Sequence, residues 1–284
     1  MFLIENDYSF SKKLTNVEKF DSIVNRKLSE PLSQSYLKTL RLMSDSLRSE
    51  LLSKGTLSVE FINSIPLRYN NNTSYNTSRR HLNVLVNYLH ENGFDIDKSK
   101  LKTRKQEEVL HKPIKHLKTL LDDIYKFNRN LHLCCLMTYC CLLRPHQEIR
   151  LLKWSDFNDD LSYLSLSGGR VKSKRNRHVP VPIIVRKLLV RDDQNINIFS
   201  SKEKPYNKDY FKTLFRRFKN VNPQVDKGIT LYSFRHTGAI EIYKRTGSLS
   251  KLQTAMGHSS LNVSLTYLRG LEVAELKEED MPMV

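Results

Sequence analysis

Arg144, Arg235, His258 and Tyr267 are the side chains whose types and order could do chemistry together, with Lys172, Lys174 and Tyr232 beside them. Arg144 closes the apolar run of CLLRPHQEIRLLKW, and Glu148 follows four residues later, one helical turn on, where it can orient the guanidinium. Lys172 and Lys174 lie in GGRVKSKRNRHVPVP among several arginines. LYSFRHTGAIEIY presents Tyr232, Arg235 and His236 at the start of a helix, and MGHSSLNVSLTYLRG places Tyr267 nine residues after His258. Planar guanidinium forks bind phosphate oxygens in pairs, so a set of this kind suits a phosphate-bearing partner. Each member alone has an ordinary reading: Arg144 as a salt-bridged helix arginine, Lys172 as a solvated hairpin charge, Tyr267 as a rim tyrosine. Their combination, in this order and in a basic chain, argues for chemistry instead.

The elements that must position these residues fall into two parts. Up to about Leu101 the sequence reads as helical. Ser33 to Gly55 carries apolar residues at helical spacing and stops at a glycine, and Ser78 to Gly93 repeats the design with Ser78 as N-cap. Arg68 to Ser78, rich in Asn and Ser, reads as the loop between them. Asp95 to Pro113 is polar and basic, and its second half, residues 102–113, is expected to be an interdomain linker. A second part, 114–284, opens with a helix at Ile114 and a buried helix ending near Arg144. Leu161 to Pro182 alternates as an antiparallel hairpin with a basic tip. Helices return over Tyr206–Asn220 and Ser233–Gly247, and the chain ends in an acidic stretch, LEVAELKEED. The fold class expected is mainly α with a small antiparallel β-sheet.

Length and charge bound the function. A chain of 284 residues suits two modest domains. Lys and Arg total 47 against 30 Asp and Glu, a formal net charge of +17 that favours a polyanion, nucleic acid first. No lipidation signal opens the chain, and Leu131 to Leu143 is too short to span a bilayer, so no membrane role is expected. Cys134, Cys135, Cys140 and Cys141 crowd one helical stretch, where neither a disulfide framework nor a zinc site is built easily. They read as small buried apolar groups in a reducing cytoplasm. Scattered carboxylates and the lack of a phosphate-cradling glycine loop speak against a metal-dependent nuclease.

Arg144, a hairpin lysine, Arg235 within RHTGA, GHSS at His258 and Tyr267 nine residues beyond together resemble the tyrosine recombinases, or phage-type integrases, over about Ile114 to Leu268. The resemblance implies a helical core DNA-binding domain over 1–101 and a mixed α/β catalytic domain over 114–284. It implies cleavage and rejoining of DNA strands through a covalent 3′-phosphotyrosine intermediate, without metal, cofactor or ATP. The expected partners are double-stranded DNA, four copies of the chain on two DNA sites, and an accessory DNA-bending protein. Arg144 and Arg235 would stabilise charge on the phosphate, and His258 would donate a hydrogen bond to it. Tyr267 would attack; a phenol, with a reference pKa of about 10, needs nearby cations and a proton acceptor. Lys172, eight residues before Pro180, matches the family's hairpin spacing for the general acid, with Lys174 as runner-up.

This sequence departs from the family at two points. Tyr232 stands where a histidine usually precedes the second arginine by three residues, and Glu148 follows the first arginine by four rather than three. Tyr232 can still donate or accept a hydrogen bond. The N-terminal part is shorter than the larger integrases need for an added arm-binding domain, and the acidic tail after Leu271 is a candidate for docking on a neighbouring subunit. The remaining functional rivals are a type IB topoisomerase and a catalytically inactive DNA-binding regulator.

Overall fold

The computed structural model describes residues 2–106, 113–171 and 175–268, with side chains from residue 14 onward. Two compact units divide the chain, Met1–Glu108 and Val109–Val284.

The first unit is built from α1 (Phe2–Leu28), α2 (Gln34–Lys54), α3 (Val59–Leu67) and α4 (Asn72–Glu91). α2 begins and ends where its sequence dictates: the Ser33 hydroxyl accepts from the Tyr36 amide, and Gly55 takes the left-handed conformation at φ 80°. Phe20, Leu40, Leu47, Ile62, Leu82 and Leu85 meet in its core.

The Asn-rich stretch corrects the sequence reading. Helix α4 starts at Asn72 with Asn71 as N-cap, seven residues earlier than expected, so Ser78 is a buried helical residue and not a cap. Asn, Ser and Thr are indifferent helix formers, and here tertiary contacts override that preference. Asn76 gives its Nδ2 to the Arg104 carbonyl at 2.7 Å and accepts the Arg104 amide at 2.9 Å. Asn72 and Tyr75 donate to the Lys105 and Lys102 carbonyls, Arg79 donates to that of Leu101, and the Arg104 guanidinium lies 3.8 Å from the Tyr75 ring centroid. The start of the expected linker is therefore tied along α4, while residues 107–112 lie outside the described residues.

The second unit runs α5 (Leu117–Phe127), α6 (Arg129–Cys140), β1 (Tyr163–Leu166), β2 (Arg177–Pro180), α7 (Ile183–Arg186), α8 (Tyr210–Val221), α9 (Leu231–Thr246), α10 (Leu249–Met256) and α11 (Leu261–Leu265). The strands pair antiparallel, from Tyr163 opposite Pro180 to Leu166 opposite Arg177. Helix α6 is buried nearly all round, with Leu131, Cys134, Cys135, Met137 and Thr138 inside the core, and it crosses α9 closely at Gly238. A Cβ on Gly238 would collide with the Tyr139 carbonyl, so the glycine of RHTGA sets the helix separation. The four cysteines are free thiols, and burial pushes Cys134, Cys135, Cys140 and Cys141 above the usual thiol range. No helix among the described residues is long and apolar enough to cross a membrane.

Candidate active site

Four segments of the second unit supply the site. Helix α6 stops at Cys140, earlier than the sequence reading placed its end, and Leu142 turns the chain with φ 51°. Arg144 therefore lies beyond the helix and not at its last turn. Residues 144–148 still close one turn, because the Glu148 amide donates to the Arg144 carbonyl at 3.0 Å. That turn explains why a four-residue spacing works: the Glu148 carboxylate accepts from the Arg144 amide at 2.9 Å and from its Nη1 at 2.5 Å. Glu148 is 1% exposed, and the Arg144 side chain keeps a small opening to solvent.

Arg235 comes from the second turn of α9 and is fully buried. Its Nη2 donates to the Met256 carbonyl at 2.7 Å, while Nε and Nη1 have no hydrogen-bond partner among the described residues. Burial, and then the like charge of Arg144, push it down to about 10, which still leaves it charged near neutral pH. Two buried donors held without partners on a cation would cost several kcal/mol as a structural device, about 1–3 kcal/mol for each group. Such donors are suited to a phosphate. Tyr232, one turn earlier on α9, is 43% exposed; burial raises its pKa, and Arg144 and Arg235 oppose that rise. Its ring centroid lies 6.4 Å from that of His146.

Helix α10 ends at Gly257, whose φ of 64° is the left-handed conformation that reverses the chain. The His258 amide donates back to the Gln253 carbonyl at 3.1 Å, and the His258 Nδ1 pairs with the buried Ser264 hydroxyl at 3.0 Å. Desolvation, followed by Arg235, Arg144 and Arg177, pushes His258 down to about 4, so it is neutral near pH 7. Tyr267 follows α11 and packs its ring against His258 and His236, at centroid distances of 5.4 and 5.6 Å. The apolar cluster of Leu142, Ala239, Leu252 and Met256 supports Tyr267 from within the same unit.

The structure thus brings Arg144, Arg235, His258, Tyr232 and Tyr267 to one region. Lys172 and Lys174, the two general-acid candidates, lie outside the described residues, as does the acidic tail beyond Leu268. Among the described residues no cluster of His, Cys, Asp or Glu is grouped to hold a metal ion.

A model of the phage integrase family matches residues 106–272, more than half of the chain. The chain belongs to the phage integrase family. Solved members share its fold at low identity. The Tn1549 transposon integrase, residues 82–397, bound to transposon right end DNA, aligns at 12% identity over 93% of this chain and 96% of that one, with a TM-score of 0.66. The lambda integrase 75–356 dimer on a COC′ core site aligns at 16% identity over 92% and 98%, with a TM-score of 0.71. XerH bound to palindromic difH aligns at 19% identity over 82% and 74%, with a TM-score of 0.59. No curated protein sequence matches the chain.

Sequence reasoning missed one residue of this candidate site. Arg177 opens β2, is 6% exposed, and donates its Nη1 to Glu148 at 2.9 Å. Its signal was present in the hairpin: period-2 alternation puts residues 177 and 179 on the same inner face, so a charge there needs a buried partner.

Proposed function

We propose that this integrase cuts and rejoins DNA at chosen sites, with Tyr267 as nucleophile. The Tyr267 oxygen releases its proton to solvent and attacks the scissile phosphorus, an O–P bond forms, and the bond from phosphorus to the 5′ oxygen breaks. Arg144 and Arg235 stabilise the charge that grows on the non-bridging oxygens, and neutral His258 donates a hydrogen bond to one of them. Lys172 protonates the departing 5′ oxygen, and Tyr232 lends its hydroxyl where the family usually has histidine. The phosphotyrosine ester keeps the bond energy, so a 5′-hydroxyl from another strand reverses the step without ATP.

The observation that carries this reading is Arg235, whose Nε and Nη1 are buried without partners among the described residues, beside Arg144, His258 and Tyr267. A charge on Tyr267 acts on Arg235 in the sense that favours its protonated form, so the two lie within electrostatic reach. The helical first unit serves as the DNA-gripping domain. Four copies act on two DNA sites in the cytoplasm with an accessory bending protein. A lambda integrase tetramer bound to a Holliday junction, similar to this chain at 17% identity and a TM-score of 0.71, supports that assembly.

The test is trapping on a nicked suicide DNA carrying the element's junctions, with chelator present. Wild type should give a covalent protein–DNA band on a denaturing gel, and Tyr267→Phe none. Relaxation of plasmids without pairing of sites would point to a topoisomerase. Bound DNA that is never cut by wild type would point to an inactive regulator, with Tyr232 the first residue to restore to histidine.

A further inference from the structure

Arg177 and Arg235 divide their donors differently. Among the described residues Arg235 leaves both Nε and Nη1 unpartnered, whereas Arg177 leaves only Nε and commits both ends of its fork to the protein: Nη1 to Glu148 Oε2 at 2.9 Å and Nη2 to the Ala255 carbonyl at 2.7 Å. Its stem lies against Gly257, where an added Cβ would stand 2.5 Å from both Cδ and Nε. Ala255 and Met256 are consecutive carbonyls at the end of α10, and each is taken by a buried arginine from a different element. That helix end carries the negative pole of the backbone dipole, and the next two residues are Gly257 and His258.

The Glu148 carboxylate is shared in the same way. Oε1 holds the Arg144 guanidinium, while Oε2 accepts the Arg144 amide and the Arg177 Nη1. Without Arg177 one donor to Oε2 is lost, and the carboxylate that fixes Arg144 gains rotational freedom. Burial opposes the charge on Arg177, as does Arg144, and Glu148 counters both. A buried cation of this kind is weak as a source of stability, so its return lies in geometry.

We propose that Arg177 is a positioning residue for cleavage: it locks Glu148, and through it Arg144, to the end of α10 that presents His258. The proposal rests on the reading of Arg144 as the cation that meets the scissile phosphate. Displacing such a group by about 1 Å can cost on the order of 100-fold in rate.

The experiment compares cleavage of suicide DNA carrying either the normal scissile phosphate or a methylphosphonate, which lacks the charge that Arg144 meets. Wild type, Arg144→Met, Arg177→Met and Arg177→Lys are measured on both, each variant relative to wild type on the same DNA, with binding followed separately. Arg177→Met should bind DNA within a few-fold of wild type and cut the phosphate about 100-fold more slowly. On the methylphosphonate both Met variants should regain most of the wild-type rate, and Arg177→Lys should fall between on the phosphate. If Arg144→Met recovers on the methylphosphonate and Arg177→Met does not, Arg177 is only structural and the proposal fails. If Arg144→Met does not recover, the underlying reading of Arg144 fails instead. Should Arg177→Met not fold, Arg177→Lys carries the same comparison, and equal slowing on both substrates overturns the proposal.

Discussion

Among the described residues, the first unit buries only neutral polar side chains, Ser44, Asn76 and Ser78, whereas the second buries Glu148, Arg177 and Arg235 with His236 and Ser264 around them. In the first unit the buried Asn76 holds backbone, binding both polar groups of Arg104 and so fixing the segment that leaves the unit. Its charged side chains stay near the surface, where a polyanion can reach them. In the second unit two guanidiniums, Arg144 and Arg177, share the Glu148 carboxylate, and Arg235 lies within electrostatic reach of it. Charge crowding of that sort is unfavourable for folding unless each group is held by hydrogen bonds. The contrast is the one the proposed function needs: buried like charges in the second unit suit an incoming anion, and the neutral buried groups of the first unit hold its own shape.

The contrast can be broken by substitution. The largest effects belong to the second unit. Tyr267→Phe should abolish covalent trapping, and Arg235→Gln should slow cleavage by about 10²–10³-fold, the usual loss for one preorganised donor to a transition state. Quantified covalent product over time on suicide DNA measures both, and near-wild-type trapping by Arg235→Gln would remove the assignment of that arginine.

Glu148→Ala should come next, because it strands Arg144 and Arg177 in the interior. Loss of one partner of a buried ion pair costs about 3–5 kcal/mol. Leu85→Ala in the first unit should cost a comparable amount, about 2–5 kcal/mol, through a core cavity. Denaturant unfolding measures both, and cleavage below each variant's unfolding midpoint separates them. Only Glu148→Ala should also lose catalysis once folded. Equal catalytic loss in the two would erase the distinction between the units.

A smaller effect is expected at Asn76→Ala, about 1–3 kcal/mol, since it leaves the polar groups of Arg104 without their partner. Hydrogen exchange at residues 101–105 should rise, with little change in the second unit. Unchanged protection there would mean that the segment is held by its other contacts.

The smallest is a pH effect at His258. Its folded-state pKa is pushed down to about 4, below the unfolded value of about 6.5. Between those limits the unfolded chain binds the extra proton, so stability contributed by neutral His258 is present above about pH 6.5 and is lost as pH falls toward 4. His258→Asn should flatten the stability profile over that window. A variant with the same slope as wild type would show that other groups carry the acid sensitivity.

Much of this was legible in the residues. Gly55, Gly93 and Gly247 end their helices as the sequence reading expected, each with positive φ, because glycine pays least for that conformation. The hairpin was legible from alternation, and the family from Arg144, RHTGA, GHSS and Tyr267. The start of α4 was not: Asn71 to Ser78 has loop chemistry by composition, and only contact with residues 101–105 makes it helical. Nor was the end of α6, where the apolar run continues through Leu143 but the helix stops at Cys140 so that Arg144 can turn toward Glu148.

The sequence by itself determined the basic charge, the two-part helical plan and the order and types of the site residues, since these depend on composition and local spacing. Only the tertiary structure decided which cations share Glu148, that Arg235 keeps two donors unpartnered among the described residues, and that Arg177 joins the hairpin to α10. Those pairings span 29 and 78 residues of chain from Arg177, to Glu148 and Ala255. No local periodicity encodes a hydrogen bond between elements that distant; packing of the whole unit selects it.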